Sequence, residues 1–284
     1  MGPAIRPLSA ACGAEVSGVD LTRPLDPDAI GKLEQALGSH GMLLFRDADL
    51  TPAQHIAFSR HFGPLGSHVV GEFNLAAHPE VFVVSNVKED GKLKGAVYAG
   101  QYWHSDLSYM AKPSLGSLLL CHEMPETGGD TMWANMYLAY DNLSAVMQGF
   151  IGGLKAVHDY SHAYDTYFAH LKERPPLTPE QRAKTPPVEQ PMVRTHPVTR
   201  RKALYVNPGF TTGIVGMPKE ESAPILEFLF RHSTRAEFIY RHKWRVHDLM
   251  FWDNRCTMHY ALADYDFSVR RRMHRTTIAG DLPY

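Results

Sequence analysis

The stretch Tyr102-Trp103-His104-Ser105-Asp106-Leu107 holds a histidine and an aspartate two residues apart. In an extended segment, positions i and i+2 face the same side. His104 and Asp106 can therefore offer an imidazole nitrogen and a carboxylate oxygen to one metal ion. Two ligands do not make a stable site, so a third must come from elsewhere in the chain. Among the sixteen histidines the best partner is His259, which follows the apolar run Leu249-Met250-Phe251-Trp252 after the polar turn Asp253-Asn254-Arg255. Two histidines and one carboxylate on one face leave coordination positions open for a cosubstrate and O₂, as a non-haem Fe(II) oxygenase requires. A zinc hydrolase can use the same ligand types. Beyond His259 comes Arg270-Arg271-Arg272-Met273-His274-Arg275. Strand alternation places Arg271, Met273 and Arg275 on one face, and buried guanidinium groups need anionic partners. That pair of arginines suits a dicarboxylate cosubstrate and an anionic substrate, whereas Arg270 and Arg272 read as surface charge.

The elements that must position these residues are mostly strands. Ala14 to Leu21 alternates, Met42 to Phe45 and Val81 to Val84 are short core strands, and a further strand spans Ser117 to His122. Asp26-Pro27 opens a helix with Ile30, Leu33 and Leu37 on one stripe, and Thr51-Pro52-Ala53-Gln54 has the form of a capping box for a second helix through Phe62. Gly128-Gly129-Asp130-Thr131 leads into Met132-Trp133, and Met136, Ala139, Tyr140, Leu143 and Met147 mark one amphipathic helix. Met192 to His196 and Ala203 to Asn207 read as a hairpin, Glu220 to Arg231 as a helix burying Ile225, Leu226 and Leu229, and Phe238 to Trp244 as a strand. The last strand runs from Arg272 to Ala279. Residues 158–191 are rich in Tyr and then Pro, the texture of a long irregular insertion that could serve as a lid or a solvated loop. His158, His162 and His170 inside it fit no compact ligand spacing and read as surface histidines. Strands outnumber helices without regular β-α-β alternation, which points to a mostly β fold with flanking helices, a double-sheet jelly roll.

Bulk properties narrow the function classes. The 284 residues are 44% hydrophobic, with 29 Lys and Arg against 30 Asp and Glu, for a formal net charge of −1. That balance gives no reason to expect nucleic acid or a membrane surface as partner. Cys12, Cys121 and Cys256 are odd in number and far apart, as reduced core thiols of a cytoplasmic protein would be. Met1 to Val19 lacks the apolar stretch of a secretory signal, and no apolar run reaches membrane-spanning length.

The chain resembles the taurine/2,4-dichlorophenoxyacetate dioxygenase family (TauD/TfdA). The likeness extends over nearly the whole chain: Gly18-Val19-Asp20-Leu21, Phe62-Gly63-Pro64-Leu65, Trp103-His104-Ser105-Asp106, Gly128-Gly129-Asp130-Thr131, Arg194-Thr195-His196-Pro197, Tyr205-Val206-Asn207, Trp252-Asp253-Asn254-Arg255 through His259, and Met273-His274-Arg275. It implies one dioxygenase domain over residues 1–284 that uses Fe(II), 2-oxoglutarate and O₂. His104, Asp106 and His259 would bind the iron. Thr131 and Arg271 would hold the distal carboxylate of 2-oxoglutarate, although counting from His259 rather than from Met-His-Arg selects Arg270. The anionic group of a small organic substrate would meet His68, Arg275 and the backbone N–H of Leu107. Gly71 and Gly100 stand where the taurine enzymes carry a tyrosine and an asparagine, which removes the contacts to an amine and opens volume. The resemblance therefore favours an aryloxyalkanoate, hydroxylated beside its ether oxygen and collapsing to a phenol and an oxo acid while succinate and CO₂ are released. An alkyl or aryl sulfonate or sulfate ester is the alternative, and a catalytically dead metal-binding protein is the alternative of another class. Members of this family often form dimers or tetramers, so the resemblance also makes a homo-oligomer an expectation.

Overall fold

The computed structural model describes residues 2–66, 73–169, 171 and 176–284. Three strands explain the continuous apolar runs: Met42–Phe45, Gly116–Glu123 and Leu249–Asp253 are neighbours in one sheet. Alternate side chains go to opposite faces, and both faces are covered. Met42, Leu44, Leu119, Cys121, Met250 and Trp252 meet Trp133 and Trp244 in one cluster. Leu43, Phe45, Leu118, Leu120, Leu249 and Phe251 meet Leu33, Leu37 and Phe58 in another. A strand buried on both sides has no polar face to alternate with, so its sequence is uniformly apolar.

That sheet has eight strands in the order Ala4–Pro7, Ala14–Ser17, Met42–Phe45, Leu249–Asp253, Gly116–Glu123, Arg272–Ile278, His78–Ser85 and Asn74–Leu75. Only the pair Ala14–Ser17 and Met42–Phe45 is parallel. A three-stranded sheet, Ile239–His242, Thr131–Asn135 and Thr257–Ala261, faces it across the Trp-rich cluster. Trp133 and Trp252 bring the two sheets together, with ring centroids 5.8 Å apart. The strand Arg272–Ile278 turns Met273 and Arg275 inward and His274 and Thr276 outward. On its outer side the helix Pro52–Ser59 holds it, through Ser59 Oγ at 2.7 Å and His55 Nε2 at 3.2 Å from Thr276 Oγ1. Inward and outward positions are thereby locked.

Helix termini follow their sequence signals. The Asp26 side chain accepts from the Ala29 N–H to start Pro27–His40, and Gly41, at φ 76°, takes the left-handed cap that ends it. Thr51 and Gln54 form the reciprocal capping box of Pro52–Ser59. Asp90 (φ 50°) and Gly91 (φ 74°) make the turn between the short strands Lys88–Glu89 and Lys92–Leu93.

Several expectations are corrected. The first alternating stretch is strand only over Ala14–Ser17, because Gly18 leaves the β region at φ 76°. The amphipathic helix after Asn135 is two helices, Met136–Asp141 and Ala145–Ile151, since Ser144 caps a new start by accepting from the Met147 N–H. Ile225 is only partly buried, and Trp244 lies beyond the strand Ile239–His242. The 158–191 segment is less irregular than its composition suggests. It contains the helix Tyr160–Ala163, a wider π turn at Tyr164–Phe168, the helix Pro179–Lys184 and the strand Val188–Pro191, which pairs with Lys155–His158. His158 is fully buried rather than exposed. Its Nδ1 lies 3.0 Å from Ser108 Oγ and its Nε2 3.2 Å from Thr211 Oγ1, so it joins the insertion to the loop after Asp106. His170 lies outside the described residues. Among the described residues, no helix is long and apolar enough to cross a membrane.

Candidate active site

His104 and His259 meet across an isolated antiparallel bridge. The His104 N–H donates to the His259 carbonyl at 3.1 Å, and the His259 N–H returns the bond at 2.8 Å. This pairing lays a loop residue beside the strand Thr257–Ala261 and brings the imidazole centroids to 4.1 Å. His104 Nδ1 lies 2.8 Å from the Tyr102 carbonyl, which fixes Nδ1–H as donor and leaves the Nε2 lone pair free. His104 Nε2 is 3.7 Å from Asp106 Oδ1, and His259 Nε2 is 3.9 Å from Asp106 Oδ2. One ligand atom from each of the three buried residues lies within 4.8 Å of the others. That donor set and spacing fit a divalent transition metal, with two neutral imidazoles and one carboxylate on one side.

The carboxylate is held from every direction. Ser117 Oγ donates to Asp106 Oδ2 at 2.8 Å, and Arg275 Nη1 to Oδ1 at 3.1 Å. The Asp106 N–H donates to Asn254 Oδ1 at 3.2 Å, and Ser105 Oγ to the Asn254 carbonyl at 2.7 Å. Asn254 thus ties the His-x-Asp loop to the turn that precedes His259. Burial pushes the Asp106 carboxyl up, but Arg275 and the two imidazoles outweigh it, so its pKa lies well below the usual carboxylate range. Burial and the neighbouring His104 push His259 well below the ordinary imidazole range, the neutral form a metal ligand needs.

Two cavities meet at this cluster. One is walled by Phe82, Tyr109, Tyr160, Tyr164, Phe168 and Phe210, with Leu107 and Arg275 at its polar end. The other is lined by Val84, Leu119, Thr131, Trp252, His259 and Arg271. Ala99, Gly100, His104 and Arg275 border both. Arg271 is 5% exposed, and its Nη2 donates to the Gly129 carbonyl at 3.2 Å. Its Nε has no partner, and none of the described carboxylates forms an ion pair with it. A buried guanidinium without a counter-ion is costly, so this cavity fits a bound carboxylate. Thr131 Oγ1 accepts from Trp244 Nε1–H at 3.0 Å, leaving its own O–H free to donate. Arg270 instead turns outward onto Glu123, and Arg272 joins the same carboxylate at 3.0 Å.

The structure brings together His104, Asp106, His259 and Arg275, and it places Thr131 and Arg271 in the adjoining cavity. Leu107 is left-handed at φ 57° and lines the aromatic cavity. His68 and Gly71 lie outside the described residues. Gly100 borders both cavities, and the backbone gives a further reason for glycine there. At φ +75° a side chain is strained, and a Cβ would sit 3.1 Å from His104 Cε1, pressing on the imidazole. Sequence reasoning missed Ser117, Asn254 and the Tyr160, Tyr164, Phe168 wall. The i, i+4, i+8 spacing of that wall was available, but the surrounding prolines obscured it.

A second buried group, His196, Asp253 and Cys256, also has metal-ligand residue types within reach of one another. Its valences are used. Arg255 grips Asp253 through Nε at 2.8 Å and Nη2 at 2.7 Å, and His196 Nε2 lies 2.9 Å from Oδ2. His196 Nδ1 accepts from the Thr199 N–H at 3.1 Å. This is an ion-pair network bracing the turn before His259.

Comparison with known proteins agrees with this geometry. The profile of the family described as "Taurine catabolism dioxygenase TauD, TfdA family" matches residues 4–277. An alpha-ketoglutarate-dependent 2,4-dichlorophenoxyacetate dioxygenase from Cupriavidus pinatubonensis is 34% identical, with 99% of each chain covered. An alpha-ketoglutarate-dependent sulfate ester dioxygenase from Pseudomonas putida is 32% identical, over 98% of this chain and 90% of that protein. The crystal structure of AAD-2 in complex with Mn(II) and N-oxalylglycine superposes with a TM-score of 0.84 at 35% identity, covering 100% of this chain and 99% of that one. The chain belongs to the TauD/TfdA family of 2-oxoglutarate-dependent dioxygenases, and it is an oxidoreductase.

Proposed function

We propose that this dioxygenase binds Fe(II) through His104, Asp106 and His259 and hydroxylates an aryloxyalkanoate, cleaving its ether to a phenol and an oxo acid. The observation that carries the reading is the meeting of two unlike cavities at one donor cluster, one closed by an unpaired arginine and the other walled by aromatic rings. We read the two facing sheets as a double-stranded β-helix within a single domain over residues 1–284, with 158–191 as its lid. The buried free thiols are consistent with a cytoplasmic site of action.

When bound, iron and 2-oxoglutarate supply the oxidising power, with succinate and CO₂ as co-products. The protein's own task is placement. Arg271 and the Thr131 hydroxyl hold the distal carboxylate of 2-oxoglutarate, which orients its other end toward the histidines. Arg275 and the Leu107 N–H receive the substrate carboxylate. Tyr109, Tyr160, Tyr164, Phe168 and Phe210 then enclose the aryl ring and exclude water. Aromatic rings favour edge-to-face and offset partners, so this wall suits an aryl group better than an alkyl sulfonate. An error of about 1 Å in the reacting carbon costs on the order of a hundredfold in rate.

Succinate release should be measured with a panel of phenoxyalkanoates, alkyl and aryl sulfonates and sulfate esters. Stimulation is expected from phenoxyalkanoates. Stimulation by sulfonates or sulfate esters alone would replace the substrate assignment while leaving the cofactor assignment standing. Anaerobic Fe(II) with 2-oxoglutarate should give a weak visible charge-transfer band, and protein that binds metal without this band would be the inactive metal-binding alternative.

A further inference from the structure

Around Arg271 lie two carboxylates that do not bind it. Asp130 and Asp264 both favour its charged form, yet both are held by one other arginine. Arg241 reaches across from the strand Ile239–His242, donating from Nε to Asp130 Oδ2 and from Nη2 to Asp264 Oδ2, each at 2.7 Å. The Gly129 peptide lies between the two groups. Its N–H donates to Asp264 Oδ1 at 2.8 Å, while its carbonyl accepts from Arg271 Nη2. Asp264 and Arg271 are therefore bonded to the two backbone groups of one residue, Gly129, and not to each other. The second oxygen of Asp130 is buried and has no partner, as is Arg271 Nε. Gly128 and Gly129 make the close approach feasible. At Gly128 a Cβ would fall 2.2 Å from the Asp264 carbonyl oxygen, and at Gly129 it would fall 3.1 Å from Arg271 Nε.

We infer that Arg241 is a positioning residue for cosubstrate binding: it draws Asp130 and Asp264 onto itself, so that Arg271 stays unpaired for the distal carboxylate of 2-oxoglutarate. The inference rests on the assignment of Arg271 given above. Without Arg241, Asp264 would compete for the Arg271 guanidinium, since an unpaired buried charge takes the nearest counter-ion. The cosubstrate would then have to displace an internal ion pair before it could bind. Arg241 is half exposed, so its ion pairs add little to folding stability. Its effect is on the charge left free in the cavity.

The test is 2-oxoglutarate affinity, measured by calorimetry on the full-length Mn(II)-loaded protein without turnover. Arg241→Met should weaken binding by about tenfold, while Arg241→Lys should keep most of it. Adding Asp264→Asn to Arg241→Met should restore binding, because the amide still accepts from the Gly129 N–H but no longer competes for Arg271. A purely structural role for Arg241 would show no such rescue, and melting temperatures confirm that each variant folds. Affinity for 2-oxoglutarate within about twofold of the unsubstituted protein in Arg241→Met, or a double variant as weak as the single, overturns the inference. Arg271→Met separates the two levels. If it abolishes binding while Arg241→Met does not, only the role of Arg241 fails. If it binds normally, the assignment of Arg271 fails as well.

Discussion

At the scale of single residues, the donor cluster depends on groups that touch no reactant. Gly100 is the sharpest case, because a methyl group there meets both a left-handed backbone and the His104 ring. Gly100→Ala is expected to lower Mn(II) or Fe(II) affinity by about tenfold or more, since tilting one ligand disturbs the whole set. A metal titration that superimposes on that of the unsubstituted protein would show the ring has room to move. Ser117 acts on the carboxylate from the other side. Ser117→Ala should weaken metal binding by roughly ten- to a hundredfold while leaving the melting temperature of the metal-free protein nearly unchanged. A comparable loss of stability would instead make Ser117 a packing residue.

The elements show a division of labour. The strand Arg272–Ile278 aims Arg275 and, through the residue just before it, Arg271, because the helix Pro52–Ser59 locks its outer face. The Tyr160–Phe168 segment supplies the far wall of the aromatic cavity and touches the loop that carries His104 and Asp106. Tyr167 stacks on Tyr102 at 4.6 Å, and the Tyr102 carbonyl holds the His104 ring. Tyr164→Ala and Phe168→Ala should raise KM for an aryl substrate several-fold and leave KM for 2-oxoglutarate unchanged, because these side chains line only the first cavity. Equal effects on both KM values would mean that the segment orders the whole site. In the helix Pro27–His40, fully buried Leu33 should cost about 2–5 kcal/mol of stability on truncation to Ala, read from urea unfolding.

For the molecule as a whole, burial of histidine sets the response to acid. His55, His158 and His274 are each pushed down to about 3, first of all by burial. In the unfolded chain they titrate near their ordinary value of about 6.5. Between these limits the unfolded state binds more protons, so stability falls as pH drops below about 6.5 and the loss continues toward 3. Asp106 is depressed too, which adds a loss of the same sign at lower pH. Urea midpoints of the metal-free protein should decline steadily from pH 7 to pH 5, and His158→Gln should flatten part of that slope. A midpoint independent of pH in this range would show that these histidines take up protons without unfolding.

The sequence alone determined the chemistry and the order of the elements. The spacing of His104 and Asp106 and the alternation of Arg271, Met273 and Arg275 are local facts, because the two-residue period of an extended chain assigns faces without knowledge of the partner. Helix ends at Asp26, Gly41 and Thr51 were legible for the same reason: caps are made within a few residues. The tertiary structure decided what depends on distance between remote segments. It buried His158, turned Arg270 out to Glu123, set Asn254 between the His104–Asp106 loop and the turn before His259, and brought the aromatic wall of the 158–191 segment over His104. These outcomes come from packing and ion pairing between residues tens to hundreds of positions apart, which no local spacing encodes. Whether Arg271 is free or paired is the clearest instance, since its state is set by Arg241 and Asp130 from distant parts of the chain acting together with Asp264.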